Sequence, residues 1–239
     1  MEGRCIAMWS GPRNISTAMM RAWENRSDTV VMDEPFYAHF LHHTGIDHPM
    51  AETIIANGEV DSQKVIQSLV IKPDAGLFYQ KHITTHWMDH YPTDWLMDID
   101  HVFLIREPEP VAASYAVKRG DLNANDLGYE QQARLFELIK QCKGITPPVI
   151  DSRRFLNNPK SQLESVCQVL KIPFEASMLE WPVGSRLSDG VWGSHWYDAV
   201  NQSTGFNPPR STQPTLNEAQ QEIASNCRPY YEELLEFAL

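Results

Sequence analysis

Five short apolar runs, set among longer stretches with helical periodicity, restrict this chain to few architectures. The runs Cys5–Trp9, Thr29–Met32, Leu77–Gln80, His101–Ile105 and Val149–Asp151 read as strands. Apolar spacing near 3.6 predicts helices over Ser16–Arg26, Ser62–Ile71, Pro108–Lys118, Tyr129–Cys142 and Pro159–Leu170. Pro108 and Pro159 suit a first helical turn, where a missing N–H costs nothing. A last helix is predicted from Leu216 to Phe237, bent at Pro229. Alternating strands and helices favour an α/β fold, a parallel sheet flanked by helices. The 239 residues suit one domain, 1–239. The stretch Trp181–Pro214, rich in Pro, Gly, Ser and Trp, is long for a loop, and long loops are often functional.

Charge and composition exclude several function classes. A formal net charge of -11 argues against nucleic acid as a partner, because tracking phosphates needs a basic face. An anionic ligand then requires cations concentrated locally. No apolar run reaches the roughly 18 residues of a membrane span, and Met1–Trp9 reads as a strand rather than a signal-peptide core. The expectation is a cytoplasmic protein with no membrane partner. Cys5, Cys142, Cys167 and Cys227 are scattered, with no CxxC pair, and read as small buried hydrophobes. His39, His42 and His43 fall on one helical stretch, with His39 and His43 at i,i+4. No Glu completes an HExxH pattern, so the expectation is no metal.

The first strand runs into Ser10-Gly11-Pro12-Arg13-Asn14-Ile15-Ser16-Thr17 and then a helix. A helix N-terminus after a tight loop offers free N–H groups and the positive dipole end to an anion. Arg13 adds fixed charge, and Ser16 and Thr17 add hydroxyls. The GxxxxGK[ST] spacing of nucleotide triphosphatases is absent. After the fourth strand, Arg106 precedes Glu107-Pro108, and Ser114 follows eight residues later on the next helix. Ligands of open α/β sheets bind at such strand ends, and a guanidinium forks onto phosphate oxygens.

These two segments resemble the sulfotransferases that use 3'-phosphoadenosine 5'-phosphosulfate (PAPS). In that family the first loop has Pro, a basic residue and a small-residue run ending in Ser-Thr or Thr-Thr; Pro12, Arg13, Ser16 and Thr17 match, while Ile15 stands where Gly is usual. The Arg-x-Pro strand end with Ser eight residues on is matched by Arg106 and Ser114. The segment from Pro148 to Phe174 resembles the family too, whereas the stretch from Leu41 to Leu77 resembles it weakly and is expected to carry acceptor features. The resemblance implies a three-layer sandwich with a central parallel sheet, the P-loop NTPase-like sulfotransferase fold. It also implies PAPS as co-substrate, held by Pro12, Arg13, Asn14, Ile15, Ser16, Thr17, Arg106 and Ser114. A small-molecule acceptor with a hydroxyl or amine is the implied partner, and a homodimer is left open. The alternatives carried are a non-catalytic nucleotide-binding partner domain and a P-loop kinase.

Sulfuryl transfer needs a base for the acceptor proton and cations for the leaving phosphate. Many cytosolic members end their third strand in Lys-x-His; here Lys81 and His82 are adjacent, with His86 four residues on. His82 is therefore the first candidate base and Lys81 the candidate leaving-group cation. Glu34, after the second strand in Asp33-Glu34-Pro35, is the rival base, as in carbohydrate sulfotransferases. In the late loop, Arg186 is a weak candidate for closing on the nucleotide, and Trp192 or Trp196 for stacking or packing.

Overall fold

The computed structural model describes residues 3–119, 122–209 and 214–239. Part of the late loop, residues 210–213, lies outside the described residues. Among the described residues five strands form one parallel sheet: β1 (Arg4–Ser10), β2 (Thr29–Asp33), β3 (Leu77–Ile83), β4 (Asp100–Ile105) and β5 (Val149–Asp151), in the order β2-β3-β1-β4-β5. All five predicted strands are present, four of them longer than their apolar runs. β3 extends through Lys81, His82 and Ile83, because the ladder with β1 continues to Ser10↔Ile83 whatever the side-chain polarity.

The helices are α1 (Ser16–Glu24), α2 (Tyr37–Thr44), α3 (Ala51–Asn57), α4 (Ser62–Leu69), α5 (Pro108–Arg119), α6 (Ala124–Leu127), α7 (Tyr129–Lys143), α8 (Ser152–Asn157), α9 (Pro159–Val169), α10 (Gly193–Trp196), α11 (Asp198–Asn201) and α12 (Glu218–Leu235). Asn158 caps α9 through its side chain with Pro159 at the first turn. Asn217 and Gln220 form a capping box at α12, which continues through Pro229.

Strand alternation sorts the two cores. Cys5, Ala7, Trp9, Phe78, Phe103 and Ile105 face one layer, which includes α7 and α12 residues such as Phe136 and Tyr231. Ile6, Met8, Tyr79, Val102 and Leu104 face the other, with Met19 and Trp23 of α1 and Leu163 of α9. A third cluster joins Tyr37, Leu41 and Ile54 to Trp192 and Tyr197 of the late loop. No described helix is long and apolar enough to cross a membrane.

Candidate functional site

A cleft of about 1070 Å³ opens at the C-terminal ends of the strands, as expected for an open parallel sheet. Its volume lies just above the usual range of small-molecule sites, ~300–1,000 Å³. Pro12 through Thr17, Glu34, Lys81, His86, Arg106 and Ser114 all line it. The structure therefore brings together every residue expected to hold the nucleotide, and two of the three candidate catalytic residues.

The loop after β1 is shaped by its own side chains. Asn14 donates through Nδ2 to the Leu104 carbonyl at 3.0 Å, and its Oδ1 accepts from the Ile15 N–H and the Ser152 hydroxyl. Asn14 thus fixes the loop to β4 and α8 with its amide already engaged. Ile15 occupies the N-cap of α1, and no side chain caps that helix end among the described residues. The first-turn donors are left facing the cleft, the local chemistry of an anion site.

Arg13 sits at φ +54°, in the left-handed region a non-glycine residue enters at a cost of order 1–3 kcal/mol. Its Nε donates to the Ser114 hydroxyl at 3.1 Å, and its guanidinium lies 5.9 Å from the Trp196 ring centroid. Arg106 donates through Nη1 to the Arg13 carbonyl at 2.6 Å, while its own carbonyl accepts from the Tyr129 hydroxyl. Two cations and a hydroxyl from separate elements converge above the α1 N-terminus.

The opposite wall carries a buried ionic cluster. Lys81 Nζ donates to Asp33 Oδ1 at 2.9 Å, to Glu34 Oε1, and to the Tyr197 hydroxyl at 2.7 Å. An ammonium has three donors, and all three are engaged. Tyr197 in turn donates to Asp33 Oδ2 at 2.7 Å and accepts from Trp192 Nε1, and the Gly190 N–H completes the shell of Asp33. Burial, which alone would lower the Lys81 pKa, is outweighed by Asp33 and Glu34, so the net shift is upward. Burial pushes the Glu34 carboxyl above its ordinary range, with Lys81 opposing and Asp33 reinforcing. Glu34 is also held at positive φ, +41°.

His86 lines the cleft beside this cluster. Its Nδ1 lies 3.9 Å from Glu34 Oε2 and has no hydrogen-bond partner among the described residues. Its ring stacks on Tyr37 at 4.3 Å and Phe40 at 5.0 Å. Burial, with His48, Lys81 and His82 nearby, holds the imidazole well below its ordinary pKa. A neutral ring next to a carboxyl can accept or pass a proton.

His82 is not in the cleft. Successive strand residues point to opposite faces, so placing Lys81 in the cleft turns His82 into the other layer. There it is 1% exposed, stacks on Trp9 at 4.1 Å, and bonds Gln80 Oε1 at 3.2 Å. Burial, then His101 and Lys81, depress its pKa strongly. His82, expected as the first candidate base, thus lies in the core and outside the cleft lining. Arg186 lies outside the cleft lining, with its N–H on Asp189, and Trp192 is buried against Tyr197. Trp196 alone of the late-loop candidates reaches the cleft. Sequence reading did not single out Asp33 or Tyr197. Asp33 was detectable as the acid beside Glu34; nothing local marks Tyr197.

A family model described as "Sulfotransferase domain" matches residues 4–237. Two proteins of Arabidopsis thaliana named branched-chain-amino-acid aminotransferase-like protein 2 and 1 are each 32% identical, over 95% and 96% of this chain. The chain spans only about two fifths of their length (40% and 41%). Among solved structures, the sulfotransferase domain of the Synechococcus PCC 7002 olefin synthase superposes with TM-score 0.58 at 15% identity, covering 95% of both chains. A sulfotransferase from Alicyclobacillus acidocaldarius superposes with TM-score 0.50 at 12% identity, covering 100% of this chain and 98% of its own. At such identities the structural likeness speaks for the fold.

Proposed function

The chain belongs to the sulfotransferase domain family, and from that premise we propose that it moves a sulfuryl group from PAPS to a hydroxyl or amine of a small-molecule acceptor. The observation that carries this reading is the convergence of Arg13, Arg106 and Ser114 over an uncapped helix N-terminus, facing a buried Glu34 across one cleft. One wall suits a doubly phosphorylated nucleotide; the other suits proton removal.

Each residue has a role that follows from its surroundings. The α1 N–H groups and Arg13 hold the 5'-phosphosulfate end. Arg106 and Ser114 hold the 3'-phosphate, where a guanidinium fork favours phosphate over hydroxyl. Glu34 takes the acceptor proton as the acceptor oxygen or nitrogen bonds to sulfur. The sulfur–oxygen bond to the 5'-phosphate breaks, and Arg13 neutralises the electron pair left on that oxygen. A raised carboxyl pKa brings the base nearer to working pH, which favours proton transfer. Lys81, with its donors engaged, positions Glu34 rather than touching the leaving group. Tyr37, Phe40 and His86 shape the acceptor side.

The test is binding followed by turnover. Adenosine 3',5'-bisphosphate should bind without Mg2+ and far more tightly than 5'-AMP. Incubation with PAPS and a panel of hydroxyl and amine acceptors should release the bisphosphate. Equal affinity for the two nucleotides would refute the donor assignment. Tight, selective binding with no acceptor-dependent release would favour the non-catalytic nucleotide-binding reading.

A further inference from the structure

His39, His43 and His90 come together away from the cleft. One ring nitrogen from each lies within 4.8 Å of the others. None of the three lines the cleft or takes part in the chemistry above. His39 and His43 stand one turn apart on α2, with ring centroids 5.6 Å apart, and His43 lies 4.9 Å from His90. His90 arrives from the connection between β3 and β4.

The state of His39 singles the cluster out. The residue is 7% exposed, and its Nδ1 bonds the Val60 carbonyl at 2.6 Å. A carbonyl only accepts, so Nδ1 carries a proton, and in the neutral ring Nε2 is the nitrogen with the lone pair. That Nε2 is buried and has no hydrogen-bond partner among the described residues. Such an orphaned acceptor, stripped of water, is unfavourable unless something occupies it. A backbone carbonyl fixing one ring nitrogen while the other faces outward is the usual support of a metal-binding histidine.

We propose that His39, His43 and His90 form a binding site for a divalent transition-metal ion, zinc above all. Three imidazoles, with no carboxylate in the cluster among the described residues, suit zinc, copper or nickel rather than magnesium or calcium. The nearest acid in sequence, Asp89, is already paired with Arg134 at 2.7 Å. With metal–nitrogen bonds of about 2.0–2.1 Å, tetrahedral ligands stand roughly 3.3–3.4 Å apart. The cluster must therefore contract by up to about 1.5 Å from its 4.8 Å limit. His43 and His90 are exposed side chains that can turn to do so, while His39 stays fixed. Three protein ligands leave the fourth position to water or an anion. The ion ties α2 to the β3–β4 connection, and those two elements carry Tyr37, Phe40 and His86 on the cleft wall.

The third ligand lies 47 residues beyond His43, so no single helix can hold the site and only the fold brings His90 across.

The experiment uses the untagged full chain, stripped with a chelator and dialysed. Zn2+ is added in competition with a chromophoric chelator, and Co2+ is added separately as a spectroscopic probe. The native chain should bind one Zn2+, and its Co2+ form should show the intense visible bands of a low-coordinate site. The double substitution His43→Gln with His90→Gln changes exposed side chains, so the fold should survive. It should abolish the bands and weaken zinc binding by at least the roughly 10–100-fold that outer-shell losses alone cost. His42→Gln, an exposed neighbour outside the cluster, should change neither. Equal zinc affinity in the native and double-variant chains, or a native Co2+ spectrum no different from the free aqueous ion, overturns the proposal.

Discussion

Arg106 donates through Nη1 to the main-chain carbonyl of Arg13 at 2.6 Å, so one cation of the cleft holds the backbone of the other. That contact explains how Arg13 keeps a positive φ without glycine. It also links the β4 strand end to the first loop, joining two motifs 93 residues apart.

Arg106→Ala should erase most of the preference for adenosine 3',5'-bisphosphate over 5'-AMP. It should also weaken both nucleotides by relaxing the Arg13 loop. Calorimetric titration with the two nucleotides separates these effects. An unchanged ratio would remove Arg106 from 3'-phosphate recognition.

Arg13→Ala should lower kcat/KM by about 2–4 kcal/mol of transition-state stabilisation, as loss of one preorganised donor does. Steady-state kinetics with a verified acceptor measure it, and a native rate would sink the assignment.

Glu34→Gln should reduce turnover by ~10²–10⁴-fold, the usual worth of a general base, with little change in bisphosphate affinity. His82→Ala should do the reverse. Truncating a stacked, buried ring should destabilise by about 2–3 kcal/mol while leaving kcat of the folded chain nearly native. Urea unfolding and kinetics on the same preparations decide it. A collapse of kcat in a stable His82→Ala protein would return the base role to the imidazole.

The pH dependence follows from the direction of the Glu34 shift. The base works ionised, and its pKa is raised from 4.5, so rate should fall on acidification at a pH above the ordinary carboxylate range. Stability carries the opposite sign. The folded chain binds the Glu34 proton more tightly than the unfolded chain, so this contribution is full below the unfolded pKa and lost as pH rises through the folded one. A kcat/KM profile with its acid limb at or below 4.5 would contradict the assignment.

Lys81→Met should destabilise by about 3–5 kcal/mol, since it leaves Asp33 and Glu34 buried without their cation. Adding Asp33→Asn should recover part of that loss. Denaturant midpoints of the single and double variants test the coupling; additive losses would mean that the cluster is not one unit.

Much of the fold was legible because its signals are local. A strand's apolar run, a cap such as Asn158 before Pro159, and a loop before a helix depend on neighbours within a few residues. The Arg106–Ser114 spacing was readable for the same reason, because one strand end and two helical turns fix it. The segments around α2, α3, α10 and α11 were harder, being short elements packed by tertiary contact.

The strand, the tight loop and the helix that follows were legible from the chain alone, as were the cleft-lining residues from Pro12 to Thr17 and at Arg106 and Ser114. Only the tertiary structure decided which of Lys81 and His82 faces the cleft. Adjacent strand residues always oppose, and the register against β1 and β2, with Asp33 beside Lys81, selects the face. Tyr197, 116 residues beyond Lys81, closes the ionic cluster, and His90 closes the histidine cluster. Such partners leave no local trace, because nothing in the chain near them records what folding will place opposite.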